Sequence, residues 1–274
     1  MARQPNREAV YEVADLFRQR CLVESKSLLW PDCDVWTLEN LDRLWNAFVE
    51  HPDEGKESFV DKFRKQLAAE PVDVYRIAVD LAVVYCLFLS AGSGGMGGQA
   101  KINLIESIRS ASLANASPDQ STWENVYQAI QHGIGSPGAN CLNERPFHYA
   151  FYLQFSRQIV FLGTDIFESS GCERIADDAV VEIKSKTNLT PRLSRNMILH
   201  LLFPDEYERI ASPSHKSLIH KRYKEEAGVS EGLTEDQGIL LIRKHLDAEW
   251  QVGFDFYEPD LFRCGHCPTW IMVS

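Results

Sequence analysis

The fold is organised around residues 72–89, VDVYRIAVDLAVVYCLFL, in which only Asp73, Arg76 and Asp80 carry charge. The longest apolar run of the chain, residues 81–91 interrupted by Ser90, lies at the end of this stretch. It is too short to span a bilayer, which needs roughly 20 apolar residues. Length and composition therefore predict a helix buried in the core of a globular protein.

Helical spacing of apolar residues continues on both sides of this stretch. Thr37 has the position of an N-cap, with Asn40 three residues later, and Gly133 suits the end of a helix. Alternation typical of strands is scarce, and Val180 to Lys184 is the one weak candidate. The sequence thus predicts a mainly α-helical, multi-helix bundle with little or no β structure. The other predicted helices cover residues 8–22, 37–49, 58–68, 101–113, 123–131, 147–162, 192–202, 214–226 and 234–246.

Residues 114–120 are rich in small and turn-forming side chains and mark the best internal boundary. We expect an N-terminal helical subdomain over residues 1–115 and a second helical subdomain over residues 116–259. The second contains a basic segment, residues 184–224. Residues 260–274 form an atypical C-terminal tail.

Composition places the chain among ordinary globular proteins, with 45% hydrophobic and 24% charged residues. The formal net charge of -11 opposes indiscriminate binding to nucleic acid. The first residues lack the apolar core of a signal peptide. The seven cysteines have no framework spacing, so we expect reduced thiols and a cytoplasmic location, without a membrane partner.

The basic segment holds nine Lys and Arg residues against three Asp and Glu residues. Such segregation in an acidic chain suits a surface that faces phosphates. In that interpretation Lys216, Lys221 and Arg222 contact phosphates, and Arg192 or Arg195 assists. The alternative is a solvated helical face that pairs with acidic neighbours or with a partner subunit.

Residues 199–210, LHLLFPDEYERI, followed by Ser214-His215-Lys216, resemble the long N-terminal regions of McrB-type AAA+ restriction proteins. The similar segments occur in the same order as in the family over roughly residues 28–260. Each motif alone is weak, so the shared order of the motifs is the specific part of the resemblance. The other segments that carry it are residues 36–53, 58–67, the helix ending at Leu87-Phe88, Lys101, residues 132–138, 143–147 and 254–259.

The resemblance implies a protein that acts on foreign or modified DNA. Its N-terminal region would supply target recognition or subunit contacts, and NTP hydrolysis would belong to an AAA+ engine. No Gly-x-x-x-x-Gly-Lys-Ser/Thr motif occurs in the chain. We therefore expect a non-catalytic recognition or assembly region, with no catalytic residue, metal site or cofactor. The alternative is a protein-interaction module that docks an AAA+ motor or nuclease partner without contacting DNA, and a self-contained enzyme is the third interpretation.

Two clusters could suggest other chemistry. Cys264-Gly265-His266-Cys267 has the form of a redox dithiol or of half a zinc site, but no second ligand pair accompanies it. His200, His215 and His220 match no metal-binding spacing, and capping or packing explains them. The tail that holds the cysteines departs from the family pattern after Pro259. Our hypothesis is that it is out-of-frame or truncated sequence.

Overall fold

The computed structural model describes residues 3–53, 55–92, 95–138, 140–163, 167–250 and 255–257. Within these residues the protein has twelve α-helices, and its β structure is a single isolated parallel bridge between Leu89 and Gly135. The predicted mainly α-helical, multi-helix bundle is therefore confirmed. None of the described helices is both long and apolar enough to cross a membrane.

The helices follow one another along the chain with short connections. Two of them, α1 and α2, continue directly into π-helical segments, Phe17–Val23 and Asn46–Glu50. The twelve α-helices are α1 (Glu8–Leu16), α2 (Leu38–Trp45), α3 (Phe59–Gln66), α4 (Val72–Phe88), α5 (Gly98–Arg109), α6 (Gln120–His132), α7 (Asn140–Asn143), α8 (Arg145–Leu162), α9 (Ser169–Thr187), α10 (Arg192–Leu202), α11 (Pro213–Tyr223) and α12 (Glu235–Trp250).

The predicted central helix is α4, and every residue of its second half is buried. It packs against α2, α5, α6 and α8, which surround it. A helix that is apolar on all sides needs neighbours on all sides, because only burial removes its apolar surface from water. The apolar stretch thus determines that α4 lies in the middle of the bundle.

Asp80 is the one charged side chain buried in the middle of α4. Its carboxylate accepts hydrogen bonds from Ser27 Oγ (2.8 Å), Leu28 N (2.9 Å), Leu29 N (3.2 Å) and Trp36 Nε1 (3.0 Å). Burial raises the pKa of Asp80 to about 6, although these donors favour the charged form. Asp80 therefore fixes the loop before α2 against the central helix.

The weak strand prediction at Val180 to Lys184 was wrong, since these residues lie within α9. The buried side chains of α9 recur at intervals of three and four residues, which is the period of a helix face. The alternating Val-Val-Glu-Ile stretch is only a few residues long, and over so few positions it fits a helical period as well as that of a strand. The buried residues of α9 are Cys172, Ile175, Ala176, Ala179, Val180 and Ile183.

The described residues form two hydrophobic cores. The large core is continuous from Val10 to Ala211, and helices from both sides of residue 115 contribute to it. For example, α1 packs on α6 and α4 packs on α8. The predicted boundary at residue 115 thus falls inside one core. The small core lies at the C-terminal end, and its members are Ile210, Ile219, Tyr223, Ile239, Ile242, Leu246 and Phe256.

Candidate functional site

A cleft of about 540 Å³ lies where the two cores meet. Five separate parts of the chain form it: the residues before α1, the end of α4, the turn after α6, the segment leading into α11, and the last described residues. We call it the junction cleft. Its lining residues are Gln4, Arg7, Ser90, residues 132–138, Arg209, Ser212, His215 and Tyr257.

The floor of the junction cleft is the turn after α6. Ile134 N and Gly135 N both donate to Phe88 O (2.9 Å each), and Ser90 N donates to Gly135 O (2.8 Å). These bonds tie the turn to the C-terminal end of α4. Gly133 has a φ of +64°, and a Cβ there would overlap the carbonyl oxygen of Leu89. Glycine is therefore required at this position, which explains the turn signal in the sequence.

Lys101 lies beneath this floor with a fully buried side chain. Its Nζ donates to Ile130 O (2.8 Å) and to Leu89 O. These carbonyls belong to the last turns of α6 and α4, where helix dipoles place negative partial charge. Burial lowers the pKa of Lys101 to about 8. The cation thus joins two helix ends and supports the cleft from below.

Arg209 connects the floor of the cleft with its far wall. One guanidinium nitrogen donates to Ile134 O, and another pairs with Asp255. The guanidinium group also lies over the Tyr257 ring, 5.7 Å from its centroid. Next to it in sequence, Glu208 forms a buried bidentate pair with Arg243, with both distances at 2.7 Å. Residues 208–209 therefore attach the small core to the large one.

The lining of the junction cleft is unusual in charge. Among the described residues, the lining contains Arg7, His132, Arg209 and His215 and no Asp or Glu, although the chain as a whole carries a net charge of -11. Arg209 is neutralised by Asp255. Arg7 donates only to carbonyl oxygens, Gly133 O (3.1 Å) and Asn6 O (2.8 Å), and no carboxylate of the described residues forms an ion pair with it.

His215 lies at the start of α11, with Nδ1 3.1 Å from the Tyr257 hydroxyl. Partial burial lowers its pKa. His200 lies inside the large core, where Nδ1 donates to Tyr207 O (2.7 Å) and Nε2 accepts from the Tyr11 hydroxyl (3.1 Å). Burial lowers the pKa of His200 to about 3, so it is neutral and has a packing role. Among the described residues, no group of three or more His, Cys, Asp or Glu could hold a metal ion.

Two of the residues predicted to contact phosphates form ion pairs within the protein. Lys216 is buried, and its Nζ pairs with Asp236 and donates to Asn196 Oδ1 (3.1 Å). Arg195 pairs with the same Asp236 and with two carboxylates of α9. Their charges are therefore satisfied within the protein. This network holds α9, α10, α11 and α12 together, and it leaves only 2% of the Lys216 surface exposed.

The other three predicted residues lie at the surface. Arg192 and Lys221 are exposed and form no ion pair with a described residue. Arg222 is half-buried and pairs with Glu226. The structure thus brings Arg195 and Lys216 together at one carboxylate and leaves Arg192 and Lys221 outside that network. Local sequence patterns do not indicate that Arg7, His132 and Tyr257 lie in one cleft, because their proximity depends on the fold.

No protein-family model matches the chain, and no curated protein or solved structure matches it. The junction cleft and the exposed cations are accordingly interpreted from their own geometry. The motif Cys264 to Cys267, for which a redox or zinc role was considered and not expected, lies outside the described residues, as does the predicted tail over residues 260–274.

Proposed function

We propose that the chain is a non-catalytic recognition and assembly region of a McrB-type restriction or defence system. In this proposal it works in the cytoplasm and contacts DNA. One observation supports it above others: segments that carry the resemblance, although far apart in sequence, meet at the junction cleft. Residues 132–138, 209, 215 and 257 all line that cleft. Such convergence is what a recognition surface needs, because binding residues are held by a rigid scaffold.

The helix α11 offers a path for a DNA backbone. Ser212 and His215 at its start line the junction cleft, and Lys221 is exposed near its end. Lys221 is the sixth residue after His215, which places it about 9 Å farther along the helix axis. Lys224 follows, also exposed. We assign the phosphate contacts to Lys221 with Arg192 as an assisting residue, while Lys216 and Arg195 hold the helices in place.

A pair of double variants with equal charge change tests this assignment. The first reverses Arg192 and Lys221 to Glu, and the matched control reverses Lys56 and Arg64, which are exposed near α3. Fluorescence anisotropy measures binding to a labelled DNA duplex between 50 and 200 mM salt, roughly the range over which phosphate contacts weaken steeply. We expect at least a tenfold loss of affinity and a shallower salt dependence for the first variant only.

Two results would reject DNA contact. One is the absence of duplex binding by the unmodified chain at low salt. The other is an equal loss in both double variants, which would reflect net charge rather than a defined surface.

A second candidate function is a protein-interaction module that docks a motor or nuclease partner without DNA contact. The observation in its favour is a groove of about 580 Å³ between α3 and α8. Partly exposed apolar side chains line it, including Phe59, Leu142 and Phe147. An apolar interface depends little on salt, whereas phosphate contacts weaken as salt rises. Binding of an isolated partner that persists at high salt would favour this function.

A further inference from the structure

We propose that the junction cleft binds a phosphate group, carried either by a free nucleotide or by the end of a nucleic-acid strand. This inference goes beyond DNA contact along α11. It stands on the cleft itself and does not require a duplex to bind.

Arg7 brings a positive charge to the cleft. Its guanidinium group donates to two carbonyl oxygens and has no carboxylate partner among the described residues. A carbonyl oxygen satisfies a donor but does not neutralise a positive charge. An arginine fork matches two oxygens of a phosphate, so an incoming phosphate would supply the missing anion.

The described lining of the cleft holds no acidic group. An anion entering the cleft meets Arg7, Arg209, His132 and His215, and it meets no carboxylate among the described lining residues. Asp255 is not one of these lining residues, and it is already paired with Arg209. In a protein with excess negative charge, such a region attracts anions by electrostatic focusing.

The first turn of α11 borders the cleft through Ser212 and His215, and this helix has eleven residues. The N-terminal end of a helix carries positive partial charge and favours phosphate groups. The partial charge of this helix end adds to the charge of Arg7, which lines the same cleft.

The size and apolar surfaces of the cleft indicate a ligand larger than inorganic phosphate. Pockets for small organic ligands have volumes of roughly 300–1,000 Å³, and the junction cleft has about 540 Å³. Ile134, Pro137 and the Tyr257 ring supply apolar faces next to the polar groups. A base or sugar could pack there while Arg7 holds the phosphate. The ligand class is therefore a nucleoside monophosphate or a terminal nucleotide.

The test is isothermal titration calorimetry on the full chain with four probes. These are AMP, adenosine, and a short single-stranded oligonucleotide with either a 5′-phosphate or a 5′-hydroxyl. We expect AMP to bind and adenosine to bind at least tenfold more weakly, because only AMP supplies the anion. A free nucleotide is the source if AMP binds at least as tightly as the phosphorylated strand. A strand end is the source if the phosphorylated strand binds more tightly and its hydroxyl counterpart does not.

Two variants examine the site without relying on one residue. Arg7→Gln removes the unpaired charge, and Ser136→Glu places a carboxylate in the cleft while Arg7 is retained. Each should weaken AMP binding at least tenfold. Arg64→Gln, an exposed arginine of α3, is the control for Arg7→Gln and should change nothing. The double reversal of Arg192 and Lys221 should leave AMP binding unchanged, which separates nucleotide binding in the cleft from the phosphate contacts assigned to Lys221 and Arg192.

Equal affinity for AMP and adenosine would overturn the proposal, as would AMP binding that both variants leave intact. Absence of binding by AMP and by the phosphorylated strand at millimolar concentration would also overturn it. Failure of duplex binding along α11, with AMP binding preserved, would reject only the proposed function.

Discussion

Replacing Lys216 with Met distinguishes a structural lysine from one that contacts DNA. In the folded protein the Lys216 amine pairs with Asp236 and donates to Asn196 Oδ1. Burial lowers the pKa of Lys216, which means that its charge is held in the protein interior at a cost. Met has a similar length and volume, so the substitution removes the charge and leaves the packing nearly unchanged.

The magnitude follows from the partners that remain. Removing one member of a buried ion pair costs about 3–5 kcal/mol when the other charge is left unpaired. Asp236 keeps its pair with Arg195, and Asn196 Oδ1 still accepts from Arg195 (3.3 Å). The desolvation cost of the lysine charge also disappears. We therefore expect a net loss of about 2 kcal/mol in the free energy of unfolding for Lys216→Met.

Two further substitutions give a rank order. Asp236→Asn leaves Lys216 and Arg195 close together and without their shared carboxylate, so it should cost more, about 3–5 kcal/mol. Lys221→Met at the exposed end of α11 should change stability by less than about 0.5 kcal/mol. Urea unfolding followed by circular dichroism measures all three.

A structural role for Lys216 is refuted if Lys216→Met is as stable as the unmodified chain and binds duplex DNA more weakly. That pair of results would mean that the Lys216 amine reaches the ligand. We expect the opposite two results for Lys216→Met. The variant should be less stable, and under conditions where it remains folded its DNA affinity should depend on salt as that of the unmodified chain does.

Substitutions at three other residues probe the central helix and the cleft floor. Asp80→Ala leaves four buried donors without an acceptor and should lower stability by about 3 kcal/mol in urea unfolding. The folded pKa of Asp80 lies above its unfolded value, so the protonated form stabilises the protein below about pH 4. This stabilisation, about 3 kcal/mol, should disappear as pH rises to about 6. The free energy of unfolding of Asp80→Asn should lack this dependence on pH. Gly133→Ala forces a Cβ onto the Leu89 carbonyl and should cost about 1–3 kcal/mol, measured by thermal unfolding. Lys101→Met leaves two buried carbonyls unpaired and should cost about 2 kcal/mol, whereas exposed Lys56→Met should not.

The secondary structure was largely readable from local patterns. Thr37 caps α2 through a bond from Asn40 N (3.3 Å), as its position predicted. The apolar stretch of residues 72–89 became α4 with nearly the predicted bounds. Where the local pattern was ambiguous the prediction failed, as at Val180, because a few alternating residues fit either period. The helical period of α9 becomes clear only when its whole length, Ser169–Thr187, is considered.

The candidate site was less accessible to sequence reasoning. The charge count identified the basic segment correctly, but a count does not show which cations already have partners. Five of its nine cations pair with carboxylates, some of them distant in sequence: Lys186, Arg195, Arg209, Lys216 and Arg222. Asp236 and Asp255, which neutralise three of these, lie outside the segment.

Local sequence patterns predict the helical class, the central position of α4 and the glycine turn after α6, because each depends on residues that are neighbours along the chain. Three-dimensional packing was needed to show that Lys216 is buried and that Arg7 faces a cleft whose described lining has no acidic group. Arg7 and Gly133 are 126 residues apart, yet their atoms are in hydrogen-bond contact. Contacts at such separations arise from the packing of helices in three dimensions, which the local periodicity of a sequence does not encode.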